Sequence, residues 1–288
     1  MGLRHLRNAP RSLSLGGLLP VLLAGALVGC AVGGPPRDQE PHEMLDAVVW
    51  QRLGAEYEAV ARQTYRLAAH RLAQALADPS WSAALEESAD ATGLPPAVVL
   101  DIDETVLDNT PYEVRIIREH GAYSPATFAA WCEESAAVAV PGAREFLREA
   151  VARGVEVFFY TARRESLRTC TRRNLEALEL PVAADGTNLL MADGGAKDEW
   201  RRRIARHHRI LLLVGDNLED FVAGSRQDPA ARRALVRRHG ARWGRQWIIL
   251  PNPMYGHWES ALYDFDHGLS RAARTARKAR GLEASVGD

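Results

Sequence analysis

Short apolar runs alternate with amphipathic stretches between residues 96 and 250. The runs are "AVVLDID", "VEVFFYT", "NLLMAD", "RILLLVGD" and "QWIILPN". The stretches between them include "GAREFLREAVARG", "ESLRTCTRRNLEAL" and "KDEWRRRIARHH", in which apolar residues recur at helical spacing. Strands that are apolar on both faces and separated by helices are typical of a parallel sheet covered on both sides. The pattern therefore predicts an α/β core over residues 96–265, with helices on both faces of the sheet.

Helical patterns flank this core. Residues 44–76 repeat apolar side chains every three or four positions without an internal proline, which predicts one long helix. After "DPS", the pattern through Trp81 and Leu85 predicts a shorter helix that ends at "TGLPP". We therefore expect an N-terminal helical segment over residues 43–95 and a helical tail over residues 266–288.

The first 29 residues have the pattern of an export signal. Arg4, Arg7 and Arg11 precede the apolar segment "LSLGGLLPVLLAGALVG". That segment is interrupted by Pro20 and is short for a membrane span. We interpret residues 1–29 as a signal peptide.

The signal ends in "LVGC", which resembles the lipobox of bacterial lipoproteins, with Leu27, Gly29 and Cys30 in register. In that motif the cysteine is acylated and becomes the first residue of the mature chain. Residues 30–42 are rich in glycine and proline and would form a flexible tether. The resemblance predicts a lipid anchor on Cys30 and a place in the bacterial cell envelope, at the outer membrane or its periplasmic face. A plain secreted protein is the alternative.

The overall charge argues against nucleic acid as a partner. The chain has 36 basic and 37 acidic residues, and removal of the signal, which holds three arginines and no acid, takes the formal charge from −1 to −4. A small substrate fits this composition better. Export would permit a disulfide between Cys132 and Cys170, although two buried free thiols fit equally well.

Polar side chains follow the apolar runs where each predicted strand ends. Asp101 and Asp103 end the first run, Thr161 ends the second, Asp216 ends the fourth, and Lys197 begins a helix after the third. Ligands of parallel α/β sheets bind outside the carboxyl ends of the strands. We therefore expect these side chains to converge on one edge of the sheet.

The segment from about residue 104 to 140 is too long for a simple strand-to-helix link. It carries several aromatic residues, namely Tyr112, Tyr123, Phe128 and Trp131. We interpret it as a small cap over the site, with Glu104 and Asp108 either as supports of the cap or as bystanders without a role in the chemistry.

Four aspartates, Asp101, Asp103, Asp216 and Asp220, would share this edge. Without compensation they could not all remain ionised at neutral pH, because like charges raise one another's pKa. An oxygen-rich site with few carboxylates suits Mg²⁺, and no histidine or cysteine cluster suggests zinc.

Lys197 is unusual in this chain. It and Lys278 are the only lysines among the 36 basic residues. A compact ammonium in an arginine-rich chain indicates a point-charge role such as binding a phosphoryl group. The alternative is an exposed residue that merely begins a helix.

These residues resemble an ordered set of family motifs. "DIDETVLDN" resembles the first motif of the haloacid dehalogenase superfamily, DxDx[TV], with Asp101, Asp103 and Thr105 in register; "FFYTAR", Lys197 and "VGDNLEDF" fit the second, third and fourth. Within the superfamily, "WQRLGAEYEA", "LDNTPY" and "PNPMYGHWE" resemble the class C acid phosphatases, the lipoprotein e(P4) type of 5'-nucleotidase. The resemblance covers nearly everything from Leu45 to about Tyr263.

The resemblance implies a Rossmann-like core and phosphoryl transfer through an aspartyl-phosphate. Asp101 would be the nucleophile, and Asp103 would protonate the leaving alcohol and then activate water. Superfamily members that dehalogenate need no such acid, and the phosphoryl-transferring pumps carry threonine at its place. Asp103 therefore favours hydrolysis of phosphate esters.

The resemblance also implies the ligands of Mg²⁺ and of phosphate. The cation would bind the Asp101 carboxylate, the Asp103 backbone carbonyl and Asp216, with Asp220 in support. Thr161 and Lys197 would hold the phosphoryl oxygens. One departure is that Ala162 follows Thr161 where the family often has asparagine, so Arg163 or water would have to substitute.

Aromatic side chains bear on the substrate. In the family such rings sandwich the base of a nucleoside monophosphate, which implies stacking by Tyr112, Trp131 and Tyr255. Packing of cap against core is the alternative for Trp131 and Tyr123. The leading hypothesis is therefore an exported, lipid-anchored, Mg²⁺-dependent acid phosphatase that acts on 5'-nucleotides. The family resemblance also implies a homodimer. A broad-specificity phosphatase and a non-catalytic surface-binding lipoprotein are the alternatives.

Overall fold

The main sheet has five parallel strands. The computed structural model describes residues 41–86 and 91–285. The strands of the main sheet are β1 (Pro96–Asp101), β4 (Glu156–Tyr160), β5 (Leu189–Leu190), β6 (Arg209–Gly215) and β7 (Trp247–Ile249), and a separate antiparallel pair is β2 (Leu107–Asp108) and β3 (Val138–Ala139). The order in the main sheet is β5-β4-β1-β6-β7. The predicted α/β fold with a mostly parallel sheet is confirmed.

Helices surround this sheet. They are α1 (Leu45–Leu53), α2 (Ala55–Ala77), α3 (Thr110–Arg118), α4 (Pro125–Glu134), α5 (Ala143–Ala152), α6 (Arg168–Ala177), α7 (Lys197–Ala205), α8 (Pro229–Arg238), α9 (His257–Ser260) and α10 (Arg271–Ser285). No helix within the described ranges is both long enough and apolar enough to span a bilayer.

The apolar character of β1 has a direct structural cause, because both faces of this central strand are buried. Val98 and Leu100 pack into a core that includes residues of α2, α5 and α6. Val99 packs on the opposite face, against a second core to which α7 contributes Ile204 and Ala205. A strand enclosed on both sides gains from apolar side chains at every position, which explains the continuous run.

The predicted long N-terminal helix is interrupted at Gly54. This residue has an extended backbone (φ −73°, ψ 121°), and it ends α1 and begins α2. A Cβ atom at Gly54 would lie 2.4 Å from the carbonyl oxygen of Trp50. The close approach of two backbone segments at this corner therefore requires glycine, and hydrophobic periodicity alone could not reveal the break.

The helix predicted through Trp81 and Leu85 does not form. The amide of Ala83 donates to the Ile210 carbonyl (2.8 Å), and the indole of Trp81 donates to the Leu211 carbonyl (2.8 Å). The segment therefore donates these hydrogen bonds to the start of β6 rather than within a helix of its own. This tertiary pairing outweighs the local helical spacing.

The segment interpreted as a cap leaves the core through the β2–β3 ladder, in which Leu107 pairs with Ala139. The ladder brings the two ends of the segment together, and α3 and α4 lie between them. Ser124 begins α4 by accepting a hydrogen bond from the Thr127 amide, with Pro125 at the first helical position.

Both ends of the chain include segments outside the described residues. The predicted signal peptide over residues 1–29, Cys30 and the tether as far as residue 40 lie there, as do residues 286–288. The last predicted tether residue, His42, is buried, and its Nε2 lies 3.2 Å from the Gly121 carbonyl oxygen.

A disulfide joins Cys132 of α4 to Cys170 of α6. The structure thus forms one of the two arrangements that the sequence left open. Because the two cysteines are 38 residues apart, the bond closes a long loop and fastens the segment over 104–140 to the core.

Replacing both cysteines, in the variant Cys132→Ala/Cys170→Ala, should lower the free energy of unfolding. Loss of the covalent loop restores entropy to the unfolded chain and costs about 3–4 kcal/mol for a loop of this size. Urea unfolding measures the difference, and wild type reduced with dithiothreitol serves as the control that should lose a similar amount. Equal stability of the oxidised, reduced and substituted proteins would contradict a disulfide-bonded native state.

Candidate active site

Lys197 lies between two carboxylates at the carboxyl edge of the sheet. Its Nζ donates to Oδ1 of Asp101 (2.5 Å) and to Oδ1 of Asp220. Burial alone would lower the pKa of Lys197, but Asp101 and Asp220 outweigh burial and hold the pKa well above its ordinary value. The residue therefore remains an ammonium, with two of its three donors already directed at acidic groups.

Asp216 completes an acidic cluster with Asp101 and Asp220. One carboxylate oxygen from each lies within 4.8 Å of the others. Asn252 Nδ2 donates to Asp216 Oδ2 (2.8 Å) and Thr105 Oγ1 lies 3.5 Å from Oδ1, but no basic side chain of the described chain forms an ion pair with Asp216.

The electrostatics of this cluster suit a divalent cation. Burial, and then the neighbouring Asp220, raise the pKa of Asp216 to about 8. Burial raises the pKa of Asp101 well above its ordinary value as well, although Lys197 opposes the shift. A cation bound among these oxygens would reverse both shifts by supplying the missing positive charge.

Asp103 lies in the fork of a buried arginine. Arg163 Nη2 donates to Asp103 Oδ1 (2.7 Å), and Nε lies 3.1 Å from both carboxylate oxygens. Burial raises the pKa of Asp103, but the guanidinium of Arg163 and a hydrogen bond from Asn109 outweigh it and lower the pKa. Asp103 is therefore held as a carboxylate in this arrangement.

Contacts with Thr161 and Thr171 hold Arg163 in this position. Thr161 ends the β4 region, and its Oγ1 lies 3.3 Å from Asp103 Oδ2 while accepting from the Arg163 amide (3.1 Å). The Arg163 side chain continues to Thr171 Oγ1 on α6 (3.0 Å). Ala162 leaves no side-chain amide here, and Arg163 supplies the polar contacts around Asp103 instead.

Glu104 is fully buried behind the aspartates. It accepts hydrogen bonds from Gln51 of α1, from the hydroxyl of Tyr255 (2.9 Å) and from the amide of Asn109 (3.1 Å). Burial, and then Asp108, raise its pKa well above the ordinary value. Glu104 therefore connects three separate parts of the chain below the site, which is a supporting role.

Two further residues position Asp220. A Cβ atom at Gly215 would lie 2.2 Å from Asp220 Oδ2, so only glycine at the end of β6 admits this carboxylate. Arg201, buried on α7, donates to the carbonyl oxygens of Glu219 and Asp220 (3.1 Å each) and pairs with Glu86 (2.8 Å). These contacts bind the helix that carries Lys197 to the turn that carries Asp220.

Comparison with known proteins assigns the family. The sequence model of the haloacid dehalogenase (HAD) superfamily, subfamily IIIB (acid phosphatase), matches residues 38–258. The chain belongs to this acid phosphatase family. It is also similar to the solved structure of the class C acid phosphatase from Bacillus anthracis, with 31% identity and a TM-score of 0.75 over 83% of this chain and 96% of that one. A tungstate-bound structure of the Bacillus anthracis enzyme matches at 30% identity, over the same shares of the two chains, with a TM-score of 0.74.

The predicted site residues of this acid phosphatase lie together. Asp101, Asp103, Thr161, Asp216 and Lys197 all reach the carboxyl edge of the sheet, as their places after the strands predict, and Asp220 joins them from the turn after β6. HAD phosphatases use a divalent metal, and the acidic cluster fits one.

The predicted stacking residues are placed differently. Tyr112 and Trp131 are only 3% and 2% exposed, and their ring centroids lie 6.2 Å apart inside the segment over 104–140. The structure therefore does not offer either ring to a base, and the packing alternative fits both. Tyr255 is half-buried, with its hydroxyl bound to Glu104.

Tyr123, unlike Tyr112 and Trp131, is exposed to solvent. It is 63% exposed, and its ring centroid lies 5.8 Å from that of Phe128, over which the Arg163 guanidinium lies at 5.1 Å. The exposed ring of Tyr123 and the half-buried Phe128 thus border the Asp103–Arg163 group.

Sequence reasoning missed several supporting residues. Asn109, in "LDNTPY", binds Asp103, and Asn252, in "PNP", binds Asp216. Neither sequence pattern by itself indicates that its asparagine binds a carboxylate. Arg201 is one arginine among many in "EWRRRIARHH". Only its complete burial distinguishes it, and burial depends on the packing of α7.

Arg163→Met should destabilise the phosphatase more at pH 7 than in acid. The pKa of Asp103 is lower in the fold than in the unfolded chain. The ion pair therefore stabilises the fold above the ordinary carboxyl pKa, and this stabilisation is lost as the pH falls through the lowered value. Removing one partner of such a pair should cost about 3 kcal/mol at pH 7, measured by urea unfolding.

Arg163→Lys is the matched control, because it keeps the charge and loses the two-pronged contact. It should restore part of the stability and part of its pH dependence. A penalty for Arg163→Met that is the same at pH 7 and at pH 3 would instead assign the effect to the lost contacts with Thr171 and Asn109.

Proposed function

We propose that this acid phosphatase is an exported, lipid-anchored, Mg²⁺-dependent enzyme that hydrolyses 5'-nucleotides through an aspartyl-phosphate. The observation that carries the catalytic part is the arrangement of Asp101, with one oxygen bound to Lys197 and the acidic cluster beside it. Such a carboxylate faces an ammonium that can also bind a phosphoryl oxygen, so nucleophile and electrophilic support lie together.

In the first step a carboxylate oxygen of Asp101 attacks phosphorus, and the bond to the leaving alcohol breaks. Lys197 and Thr161 bind the non-bridging oxygens, where charge develops in the transition state. In the second step water attacks the phosphorus of the aspartyl-phosphate, releasing phosphate and restoring the Asp101 carboxylate.

Asp103 would transfer the protons in both steps. It gives a proton to the leaving oxygen and takes one from the attacking water. Since Arg163 lowers its pKa, the protonated form is favoured only in acid, which supports an acidic working range. A substrate phosphate that draws the Arg163 guanidinium away would ease this constraint, because the anion competes with Asp103 for the same fork.

The metal would be held by Asp101 and Asp216, with Asp220 close by and the Asp103 carbonyl as a further oxygen. An all-oxygen set with few carboxylates favours Mg²⁺ over zinc. Bound there, the cation would neutralise the clustered carboxylates and orient the phosphate.

Asp101→Asn should abolish phosphomonoesterase activity. The amide is a poor nucleophile, so we expect kcat to fall by about a thousand-fold or more, measured as phosphate release in the presence of Mg²⁺. Asp46→Asn, the same change at an exposed position of α1, should leave kcat unchanged. Chelation of the wild type should abolish activity, and added Mg²⁺ should restore it.

A rise in the melting temperature of the Asp101→Asn variant on addition of tungstate would show independently that the variant is folded and still binds an oxyanion. A variant that binds tungstate and yet hydrolyses phosphomonoesters at the wild-type rate would refute the aspartyl-phosphate mechanism.

Preference for nucleotides rests on the exposed ring of Tyr123, which packs on the half-buried Phe128 beside Arg163. A base stacked on an open ring gains binding energy that tolerates different bases. The pair replaces Tyr112 and Trp131 in this proposal, while Tyr255, whose hydroxyl binds Glu104, remains a further candidate. A phosphatase without nucleotide preference is the alternative.

Wild type should therefore hydrolyse adenosine 5'-monophosphate with a lower KM than ribose 5-phosphate, which has the same ester but no base. Tyr123→Ala should reduce the ratio of the two KM values by about tenfold, because one stacked base contributes ~1–3 kcal/mol to binding. Tyr112→Phe, at a buried ring, is the matched control and should preserve it. Equal KM values for the two substrates in the wild type would favour the broad-specificity alternative.

Export and anchoring rest on the signal pattern and on Cys30, and the Cys132–Cys170 disulfide supports an oxidising location. Charged nucleotides cross membranes poorly, which gives an envelope phosphatase a purpose. The homodimer implied by the family resemblance stays a prediction.

A further inference from the structure

Basic residues are concentrated on two segments outside the active site. Residues 226–245, which contain α8, hold seven arginines and one aspartate, and α10 holds five basic residues and one glutamate. The mature chain as a whole has a formal charge of −4. The protein is therefore strongly polarised in charge, although its total charge is nearly balanced.

Part of this positive charge is exposed and uncompensated. Arg233, Arg237 and Arg238 on α8 and Arg280 on α10 are exposed, and none forms an ion pair with a carboxylate of the described residues. Arg233 and Arg237 line a cavity of about 430 Å³ that Ser285, at the end of α10, also lines. The end of α10 thus adjoins the arginine face of α8.

Exposed apolar side chains stand among these arginines in sequence. Val236 on α8 is 43% exposed and Leu282 on α10 is 71% exposed. Basic residues combined with isolated apolar side chains are typical of surfaces that lie on anionic membranes, where headgroups pair with the cations and the apolar groups enter the interface.

The start of the described chain is bound to α10. Arg271 donates to the Pro41 carbonyl (3.3 Å), and Glu43 pairs with Lys278 (2.8 Å). Only residues 30–40 separate this point from Cys30, and 11 residues span at most about 40 Å. Since α10 itself is roughly 22 Å long, an anchor on Cys30 would keep the basic surface near the bilayer.

We propose that the exposed arginines of α8 and α10, with Val236 and Leu282, form a surface that binds the anionic phospholipid headgroups of the leaflet carrying the anchor. The anchor alone would permit any orientation of the enzyme. This surface selects one, in which α8 and α10 face the membrane. The inference rests on the proposed lipid anchor.

The test uses the chain that begins at residue 30, with Cys30→Ser so that no acyl chain contributes. Its described part has a core of its own and matches a solved acid phosphatase over 96% of that chain. Sedimentation with vesicles of equal parts phosphatidylglycerol and phosphatidylcholine should exceed sedimentation with pure phosphatidylcholine by more than about tenfold at ~50 mM salt, and the excess should vanish at ~500 mM.

Arg233→Glu/Arg237→Glu should weaken binding to the anionic vesicles by more than about tenfold. Arg144→Glu/Arg148→Glu, the same charge change at the same spacing on α5, is the matched control and should change it by less than about twofold. Both variants should keep the wild-type kcat. Equal binding to the two vesicle types, or equal effects of the two variants, would overturn the proposal, as would tighter binding of double-stranded DNA than of anionic vesicles.

Anchoring is tested separately, by incorporation of labelled palmitate into the full chain and into its Cys30→Ser variant in bacterial cells. Absence of label from the full chain would refute the anchor, and with it the membrane as the setting for this surface. Label on Cys30 without vesicle binding by the non-acylated chain would refute only the lipid-binding surface.

Discussion

The ammonium of Lys197, held between Asp101 and Asp220, is the interaction on which the site depends. Three carboxylates approach within 4.8 Å at the edge of the sheet, where burial and mutual repulsion oppose ionisation. A single buried cation offsets part of this repulsion and leaves Asp216 without a basic partner in the described chain. A divalent metal, which HAD phosphatases use, would supply the missing positive charge among these oxygens and so favour their ionised forms.

Much of the surrounding structure maintains this arrangement. Gly215 admits the Asp220 carboxylate because it has no side chain, and Arg201 holds the turn carrying Asp220 against the helix carrying Lys197. Arg163 in turn gives Asp103 a cation of its own. The two acidic residues of the first motif therefore have opposite electrostatic surroundings. That difference suits the two separate roles proposed for them, with Asp101 as the nucleophile and Asp103 as the group that transfers protons.

The Cys132–Cys170 disulfide adds a link between this centre and the segment over 104–140. Arg163 Nη1 lies 3.6 Å from Cys132 Sγ and 3.0 Å from Oγ1 of Thr171, the residue after Cys170. The covalent bond thus lies directly beside the guanidinium that positions Asp103. Stability of the fold and geometry of the site are coupled here.

The sequence by itself determined the parallel α/β core and the edge at which the chemistry gathers. The apolar runs of the central strands β1 and β6 are buried on both faces, so almost every position in them is apolar, and the carboxyl ends of neighbouring parallel strands must meet. Tertiary structure alone decided the break at Gly54, the extended path of Trp81 and the burial of Tyr112 and Trp131. The path of Trp81 and the burial of Tyr112 and Trp131 depend on contacts between residues far apart in the chain, and the break at Gly54 depends on its close approach to the Trp50 carbonyl. Hydrophobic periodicity encodes neither kind of contact. The same holds for Arg163 and Arg201, two of 34 arginines, whose roles arise only from what the fold places beside them.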